Sequence, residues 1–187
     1  MGVKKIMLEH SCLPNPLVKY TEEQLYNYYV KNMASKDIRY CGNQIHFFDT
    51  PVIDGHEQGF HHISTKTDKK LKMRFLEERA YYINWVIPII ENASLCSNCD
   101  NMDCSKIYVW DGIKKGIKRK KFLVEEKNVA YLIILEQKRE KRNRWYIITA
   151  FLINKQNKND IHYLSDILEE YHNFAQKKDR KTIFSNG

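Results

Sequence analysis

The sequence predicts an α+β fold in which an antiparallel sheet packs against one long helix, with further helices toward both ends of the chain. Apolar residues recur at helical spacing over 67–93, whereas alternating and continuous apolar runs dominate from residue 105 onward. No linker rich in proline, glycine or serine divides the 187 residues, which predicts a single domain. Its core spans 44–155, with a helical extension over 1–42 and a carboxyl-terminal helix and loose tail over 161–187.

The first elements follow from capping and periodicity. A helix over 20–35 begins at Thr21, which stands three residues before Gln24 as in a capping box. The β-branched and aromatic stretch "NQIHFFD" (43–49) predicts a strand, and the turn-rich segment after it predicts a loop.

Two further helices are expected. The stretch 67–93 carries an apolar stripe with charges on its other face and predicts the long helix. Pro88 is expected to kink or shorten that helix near its end, because proline lacks the helical N–H. The segment 161–175 predicts a last amphipathic helix, and the polar residues 176–187 predict a loose tail.

Strands account for the remaining apolar runs. "SKIYVWD" (105–111) alternates as a strand does, and a basic segment follows it. "NVAYLIILE" (128–136) and "RWYIITAFLI" (144–153) are joined by a short polar connector, which predicts an antiparallel hairpin.

Charge and cysteine content narrow the function classes. Lys and Arg number 31 against 23 Asp and Glu, a formal net charge of +8 that favours a polyanionic partner such as nucleic acid. No apolar run is long enough to cross a membrane, and residues 1–12 lack the apolar stretch of a secretory signal. Five cysteines, an odd number, favour reduced thiols or a metal site over a disulfide framework. We therefore expect a cytoplasmic protein.

The stretch "GFHHISTK" (59–66) is the first candidate for chemistry. In an extended segment His61 and His62 point to opposite faces, so only one can serve a cleft. Histidine suits proton transfer near neutral pH, and Lys66 adds fixed positive charge within reach of a phosphate. The alternative is a structural histidine beside a surface one.

Arg79 and Thr149 are candidate partners of that histidine. Arg79 lies near the middle of the predicted long helix, and an arginine can grip a phosphate through two N–H groups. Strand alternation places Thr149 on one face with Ile147 and Phe151 in an otherwise apolar strand. That hydroxyl can bond within the sheet or reach a phosphate oxygen. The lysines and arginine between 69 and 74 are more simply explained as a solvated face.

Two basic runs, 114–121 and 138–144, hold eleven cationic residues and one acidic residue. In neighbouring strands they form one electropositive rim that would attract a nucleic-acid backbone. A solubilising hairpin tip explains the second run by itself but is a poorer account of both. The candidate RNA-binding residues are Lys114, Lys115, Lys118, Arg119, Lys120, Lys121, Arg139, Arg142 and Arg144.

The cysteine cluster "CSNCDNMDC" (96–104) is a candidate structural zinc site. Cys96, Cys99 and Cys104 supply three thiols, and a fourth ligand could come from Cys12, Cys41 or a histidine. The complete two-pair zinc signature is missing, so an ordinary cysteine-rich loop remains an alternative.

Together, the F-x-H-I pattern within "GFHHISTK", the segment "RFLEERAYYINWVIPIIENA" and the strand pair ending "RWYIITAFLI" resemble the phage-associated branch of the barnase–EndoU–colicin–RelE-like ribonucleases. The resemblance covers about residues 44–155 and rests on the order and character of these motifs. It implies a small α+β fold whose antiparallel sheet cleaves RNA without a catalytic metal.

The same resemblance implies roles for individual residues. His62 would be the general base or acid, while Lys66 and Arg79 would stabilise the phosphorane. Thr149 would position the scissile phosphate, with Tyr146 as a further candidate beside it. The tandem leaves His61 as an alternative to His62, and the second acid–base group could be His56 or His162. An acidic antitoxin or inhibitor protein that covers the basic face is the partner this implies besides RNA.

Two other function classes remain open from the residues. A non-catalytic nucleic-acid-binding protein would carry the same basic rim with structural histidines. A metal-dependent nuclease would use the histidines and cysteines as ligands and would be inhibited by chelators.

Overall fold

The computed structural model of the protein describes residues 13–67, 73–96, 107–138 and 144–185. The helices are α1 (Glu22–Tyr29), α2 (Gln58–Ser64), α3 (Glu77–Ala80), α4 (Val86–Cys96) and α5 (Lys158–Ser185), with a π-helical turn at Val30–Ala34 and a 3₁₀ turn at Ile83–Trp85. The strands are β1 (Ile38–Tyr40), β2 (Asn43–His46), β3 (Val52–Ile53), β4 (His56–Glu57), β5 (Thr65–Thr67), β6 (Met73–Phe75), β7 (Ile107–Lys114), β8 (Ile117–Glu125), β9 (Val129–Gln137) and β10 (Arg144–Asn154). The α+β class is confirmed.

The main sheet has six strands in the order β1-β2-β10-β9-β8-β7. The predicted hairpin is confirmed, since β9 and β10 pair antiparallel with Trp145 opposite Gln137. The expectation of a purely antiparallel sheet is wrong, because β2 runs parallel to β10, with Trp145 opposite Ile45. The β1–β2 hairpin extends the sheet along the outer edge of β10, far from β10 in sequence. The sheet is therefore mixed.

Each face of this sheet carries its own apolar core. On one face α1 and α4 supply Leu25, Tyr29 and Ile90, which pack with the sheet residue Ile147. On the other face Leu164 and Ile167 of α5 pack against Trp110 and its neighbours. None of the helices in the described ranges is long and apolar enough to cross a membrane.

The first helix forms as its cap predicts. The Thr21 hydroxyl accepts the Gln24 N–H at 3.3 Å, and the Gln24 side chain accepts the Thr21 N–H at 2.8 Å. The helix then widens into the π-helical turn, so that Met33 is buried beyond Leu25 and Tyr29. The predicted strand at 43–49 is present but shorter, as β2.

The segment predicted as extended, 59–66, is helical over most of its length. Phe60 and Ile63 are fully buried, and their three-residue spacing buries one face of the short helix α2. Ser64 and Thr65 donate their hydroxyls to the carbonyls of Phe60 and His61, four residues earlier, at 2.7 and 2.8 Å. Adjacent side chains on a helix diverge by about 100° rather than alternating across a sheet.

The single long helix predicted over 67–93 is wrong within the described residues. Residues 65–67 and 73–75 pair as the antiparallel strands β5 and β6, and α3 is only four residues long. Asn84 and Trp85 donate their side-chain N–H groups to the carbonyls of Asn15 and Pro14, both at 2.7 Å. These tertiary bonds hold a 3₁₀ turn where the sequence pattern suggested one continuous helix.

Pro88 and the carboxyl-terminal tail are also corrected. Pro88 lies in the first turn of α4, where the missing N–H has no helical partner to lose. The last helix, α5, begins earlier than predicted and extends to Ser185, so the expected loose tail is largely helical. The Asn157 side chain accepts the Asn159 N–H at 2.9 Å at the start of that helix.

Candidate active site

Two elements, β2 and α2, contact the outer edge of β10. Its first residues, Arg144 to Tyr146, pair with β2, and beyond that point α2 packs against the strand. The ladder with β9 shifts between Ile147, opposite Leu135, and Thr149, opposite Ile134. One residue, Ile148, is thus extra on the β10 side, which is a β-bulge. Bulges disrupt a ladder locally and redirect side chains.

The bulge changes which residues share a face with Thr149. Ile147 and Ala150 both belong to the core under α1 and α4, whereas Ile148 and Phe151 pack toward α5. Because alternation restarts after Ile148, Thr149 shares a face with Phe151 but not with Ile147. The prediction that Thr149 shares a face with Ile147 and Phe151 is therefore correct for Phe151 and wrong for Ile147.

A close approach of main chains sets the position of α2. The Gly59 N–H donates to the Phe48 carbonyl at 2.7 Å. A Cβ at Gly59 would lie 2.8 Å from that same oxygen and 2.5 Å from the Tyr29 hydroxyl. Only glycine fits without displacement, and this contact brings the two histidines of α2 to the bulge.

His62 is oriented by the strand beside it. Its Nδ1 lies 3.2 Å from the Ile147 carbonyl, which can only accept, so Nδ1 carries the proton in this contact. The neutral ring then presents an unprotonated Nε2. Burial lowers the pKa of His62 below its ordinary value of 6.5, with the charges of His61 and Arg79 acting in the same direction. A neutral imidazole with a fixed tautomer is suited to act as a general base.

The guanidinium of Arg79 is largely but not fully buried, and it donates to neutral oxygens. It donates to the Thr65 carbonyl and, at 3.1 Å, to the Thr149 hydroxyl. Its guanidinium carbon also lies 5.0 Å from the centre of the Phe151 ring. Burial lowers the pKa of Arg79, but arginine keeps its charge at neutral pH.

Arg79 forms no ion pair with any carboxylate in the part of the chain that the structure describes. Two of its five N–H groups are used by Thr65 and Thr149, which leaves donors for an incoming group. A buried charge of this kind is costly without a counter-charge. An anionic ligand would supply one.

These residues surround a cleft of about 350 Å³. Its lining is made by Ile53, Gln58, His61, His62, Thr65, Lys66, Arg79, Ile148 and Thr149. Four of the predicted site residues, His62, Lys66, Arg79 and Thr149, therefore meet at one place although they come from α2, β5, α3 and β10. The exposed Lys66 stands at the cleft while the guanidinium of Arg79 is largely enclosed.

The two adjacent histidines differ in their contacts. His61 is buried, and its Nε2–H donates to the Ile53 carbonyl at 2.8 Å. Its Nδ1 is buried and has no hydrogen-bond partner among the residues that the structure describes. His62 is partly exposed and faces the bulge. These contacts favour His62 over His61 as the proton-transfer group, and His61 as the residue that holds the β3–β4 loop against α2.

Three other candidates do not reach this cleft. Tyr146 lies on β10 before the bulge and packs against Phe48, with ring centres 4.8 Å apart. His56 packs on Tyr26, and its Nδ1 lies 4.0 Å from a carboxylate oxygen of Glu22. His162 is exposed on α5. Neither proposed second acid–base group lines the cleft, and Tyr146 does not either.

The basic residues form a ribbon at one end of the sheet. Arg119 of β8 stands opposite Glu136 of β9, which stands opposite Tyr146 of β10, so the first basic run lies at the same end of the sheet as Lys138 and Arg144. Arg119 pairs with Glu136, Lys120 with Asp111 and Lys121 with Glu170. Lys114, Lys115, Lys118 and Arg144 are exposed. Arg139 and Arg142 lie outside the described residues.

The proposed zinc site falls mostly outside the described residues. Cys99, Cys104 and Cys12 lie there, and only the main chain of Cys96, the last residue of α4, is described. Cys41 is exposed in the turn between β1 and β2. No group of three or more His, Cys, Asp or Glu side chains within the described ranges is arranged to hold a metal ion.

Sequence reasoning missed the main-chain groups that shape the cleft. The carbonyls of Ile147, Thr65 and Ile53 orient His62, Arg79 and His61, and no side-chain pattern reveals them. Gln58 was also missed; it stands one residue before Gly59 at the start of the helix. Recognising "QGFHHIST" as a helix would have placed it near the histidines.

Comparison of the chain with protein-family models, with curated proteins and with solved structures finds no match. The resemblance to the barnase–EndoU–colicin–RelE-like ribonucleases therefore stays a prediction that rests on sequence motifs.

Proposed function

We propose that this protein is a metal-independent endoribonuclease, a toxin or phage-related enzyme of the cytoplasm, that cleaves RNA through attack of the RNA's own 2′-hydroxyl. The observation that carries the proposal is the convergence of His62, Arg79 and Thr149 on one small cleft. The largely buried guanidinium of Arg79 has no carboxylate partner there among the described residues. A phosphodiester is an anion that such a cleft can neutralise.

In the proposed reaction His62 is the general base. Its Nε2 takes the proton from the 2′-hydroxyl, while Nδ1–H stays bound to the Ile147 carbonyl and holds the ring in place. The 2′-oxygen then forms a bond to phosphorus, and the bond from phosphorus to the 5′-oxygen breaks. The depressed pKa of His62 keeps the ring unprotonated near pH 7, which is the form that accepts a proton.

Arg79, Lys66 and Thr149 act on the phosphate. The unused N–H groups of Arg79 and the ammonium of Lys66 stabilise the negative charge that develops on the non-bridging oxygens. Thr149, fixed by its bond to Arg79, positions one of those oxygens. The departing 5′-oxygen takes a proton from Lys66 or from water, so the products are a 2′,3′-cyclic phosphate and a 5′-hydroxyl.

The basic ribbon would guide the rest of the RNA. The exposed lysines of its first run, Lys114, Lys115 and Lys118, lie at the end of the sheet where β10 begins, a few residues before the bulge. Attraction of this kind is independent of sequence and depends strongly on salt. An acidic antitoxin or inhibitor that covered this ribbon would compete with RNA.

The second candidate is a non-catalytic nucleic-acid-binding protein. The contacts of His61 favour it, because this imidazole donates to the Ile53 carbonyl, which leaves the described lining of the cleft without a second histidine free to transfer a proton. The same cleft would then bind a phosphate of the nucleic acid without cleaving the phosphodiester bond.

Cleavage of total RNA in excess EDTA separates these functions. The purified protein is expected to generate fragments that end in 2′,3′-cyclic phosphate. His62→Ala is expected to reduce the rate by about 10²–10⁴-fold, the usual contribution of a general base. His172→Ala, which removes an exposed histidine of α5, is the matched control and should cleave normally.

RNA that stays intact but binds tightly to both proteins would move the chain to the non-catalytic class. Cleavage that EDTA abolishes and added divalent metal restores would instead favour a metal-dependent nuclease.

A further inference from the structure

A second and larger cleft, of about 820 Å³, lies on the far side of Arg79. It shares Lys66 and Arg79 with the smaller cleft, so the two clefts adjoin at these side chains. Its other walls come from the β6–α3 segment, the end of β10 and the first turns of α5, and they include Glu77, Glu78, Phe151, Asp160 and Tyr163. A cavity of this size is typical of small-ligand sites.

The two clefts differ in the sign of their charge. The smaller cleft has no carboxylate in its described lining and carries Arg79 and Lys66. The larger cleft has three carboxylates, Glu77, Glu78 and Asp160, beside the same two cations. A phosphate is favoured in the first and repelled by the carboxylates of the second. Groups with N–H donors, in contrast, are favoured in the second.

Aromatic rings form part of the wall of the larger cleft. The centre of the Phe151 ring lies 5.0 Å from the guanidinium carbon of Arg79 and 5.8 Å from the centre of the Tyr163 ring. Tyr163 is 40% exposed, which leaves much of its surface open to a ligand. Burial raises the pKa of Tyr163, so the ring is neutral at physiological pH. A planar heterocycle can stack on such a ring.

The three carboxylates are not equally available. Glu77 accepts the Tyr81 hydroxyl at 3.0 Å, and Asp160 accepts the Asn154 N–H at 3.0 Å. Glu78 is exposed and has neither a hydrogen bond nor an ion pair within the described part of the chain. Of the three carboxylates it therefore has the most free acceptor capacity.

From this division of charge and shape we infer that the larger cleft seats a nucleobase, that of the nucleotide whose phosphate is bound at Arg79. The inference deepens the proposed function and rests on its assignment of the phosphate to the smaller cleft. The base stacks on Tyr163, and Glu78 accepts a hydrogen bond from its exocyclic amino group. Cytosine, adenine and guanine carry such an amino group and uracil does not, so the site disfavours uracil.

Nucleotide binding tests this without any cleavage. The probes are inorganic phosphate, cytidine 3′-monophosphate and uridine 3′-monophosphate; the two nucleotides differ at the base where one has an amino group and the other a carbonyl. We expect both nucleotides to bind about tenfold or more tightly than phosphate, as one stacked base provides. The cytidine nucleotide should bind about tenfold more tightly than the uridine one.

Two variants assign these effects to residues. Tyr163→Leu should weaken both nucleotides about tenfold and leave phosphate unchanged. Glu78→Gln, which exchanges the acceptor pair for an amide, should abolish or reverse the preference for cytidine. The matched controls are Tyr20→Leu, where the tyrosine is 42% exposed outside both clefts, and Glu169→Gln on α5. Both controls should behave as the unmodified protein.

Nucleotides that bind no more tightly than phosphate, or a base preference that survives both variants, would overturn the inference. The result is independent of RNA cleavage. A protein that binds cytidine nucleotide as described but leaves RNA intact would retain this base site and lose the ribonuclease assignment. A protein that cleaves RNA but shows neither effect would retain the ribonuclease assignment and lose the base site.

Discussion

Two arginines of this protein, Arg79 and Arg119, have opposite electrostatic situations. Arg119 donates its Nε–H to the Glu136 carboxylate at 2.7 Å, and its neighbours Lys120 and Lys121 are paired with carboxylates as well. Among the described residues Arg79 donates only to a hydroxyl and a main-chain carbonyl. Arg119, in the densest basic run, is thus neutralised by a carboxylate, whereas Arg79, in a segment of mixed charge, is not.

The difference separates charge in the sequence from charge that is available to a ligand. A close ion pair largely cancels the field of its cation, so Arg119, Lys120 and Lys121 contribute less to RNA attraction than their number suggests. A largely buried guanidinium such as that of Arg79 is screened less by salt than an exposed cation and acts more strongly on a bound anion. The six cations of 114–121 therefore divide into an exposed set and a paired set.

Substitution of the two arginines by lysine should give the largest contrast. Arg79→Lys keeps the charge but loses the planar fork that reaches Thr65, Thr149 and a phosphate together. We expect cleavage to fall about 10²–10³-fold, as for loss of a preorganised donor. Arg119→Lys should change the rate by no more than about threefold, because lysine can still pair with Glu136. Single-turnover rates on one RNA measure both.

Equal losses in the two variants would show that the contrast between the cleft and the ribbon is wrong.

The salt dependence of RNA binding should give an intermediate effect. Replacing the three exposed lysines of the first basic run, Lys114, Lys115 and Lys118, with glutamine should reduce the slope of log Kd against log salt by about 2, since each phosphate contact to a single strand contributes about 0.7. A control of equal charge change replaces the exposed Lys19, Lys31 and Lys177, which lie on other elements. A slope that falls equally in both proteins would mean that only net charge matters.

The titration of His62 should give the smallest effect. Burial, with a contribution from Arg79, places the pKa of His62 below 6.5. NMR should therefore find the ring neutral at pH 7. Cleavage should fall as the pH falls through that pKa, because the protonated ring cannot act as a base. Because an unfolded histidine titrates near 6.5, stability should also decline as pH drops from 6.5 toward the folded pKa. Arg79→Gln should raise the pKa of His62, and Arg119→Gln should leave it unchanged. A pKa at or above 6.5 in the unmodified protein would contradict this.

The parts of the fold that the sequence predicts are those governed by local rules. The capping box of Thr21 and Gln24 and the long apolar runs of β9 and β10 specify their own structure. The break between 67 and 93 is different, because it depends on bonds from Asn84 and Trp85 to main-chain carbonyls nearly seventy residues earlier. Helical periodicity carries no information about such contacts.

The site was predictable in its residue types but not in its geometry. His62, Lys66, Arg79 and Thr149 stand out because imidazole, cations and a hydroxyl are what phosphate chemistry uses. Their meeting point depends on the bulge at Ile148, which leaves no mark in an unbroken apolar strand. Tyr146 looked equally placed because its position relative to that bulge could not be known. The same bulge decides that Thr149 faces Arg79.

Gly59 also limits how this protein can be stabilised. Alanine normally forms helices better than glycine by about 1 kcal/mol, so a helical glycine is an obvious position for an engineered gain in thermal tolerance. At Gly59 a methyl group would meet the main-chain oxygen of Phe48 at 2.8 Å, and the helix that carries both adjacent histidines would have to move. Stabilising substitutions must therefore be sought elsewhere in the chain, because a side chain at Gly59 would displace His62 from its alignment.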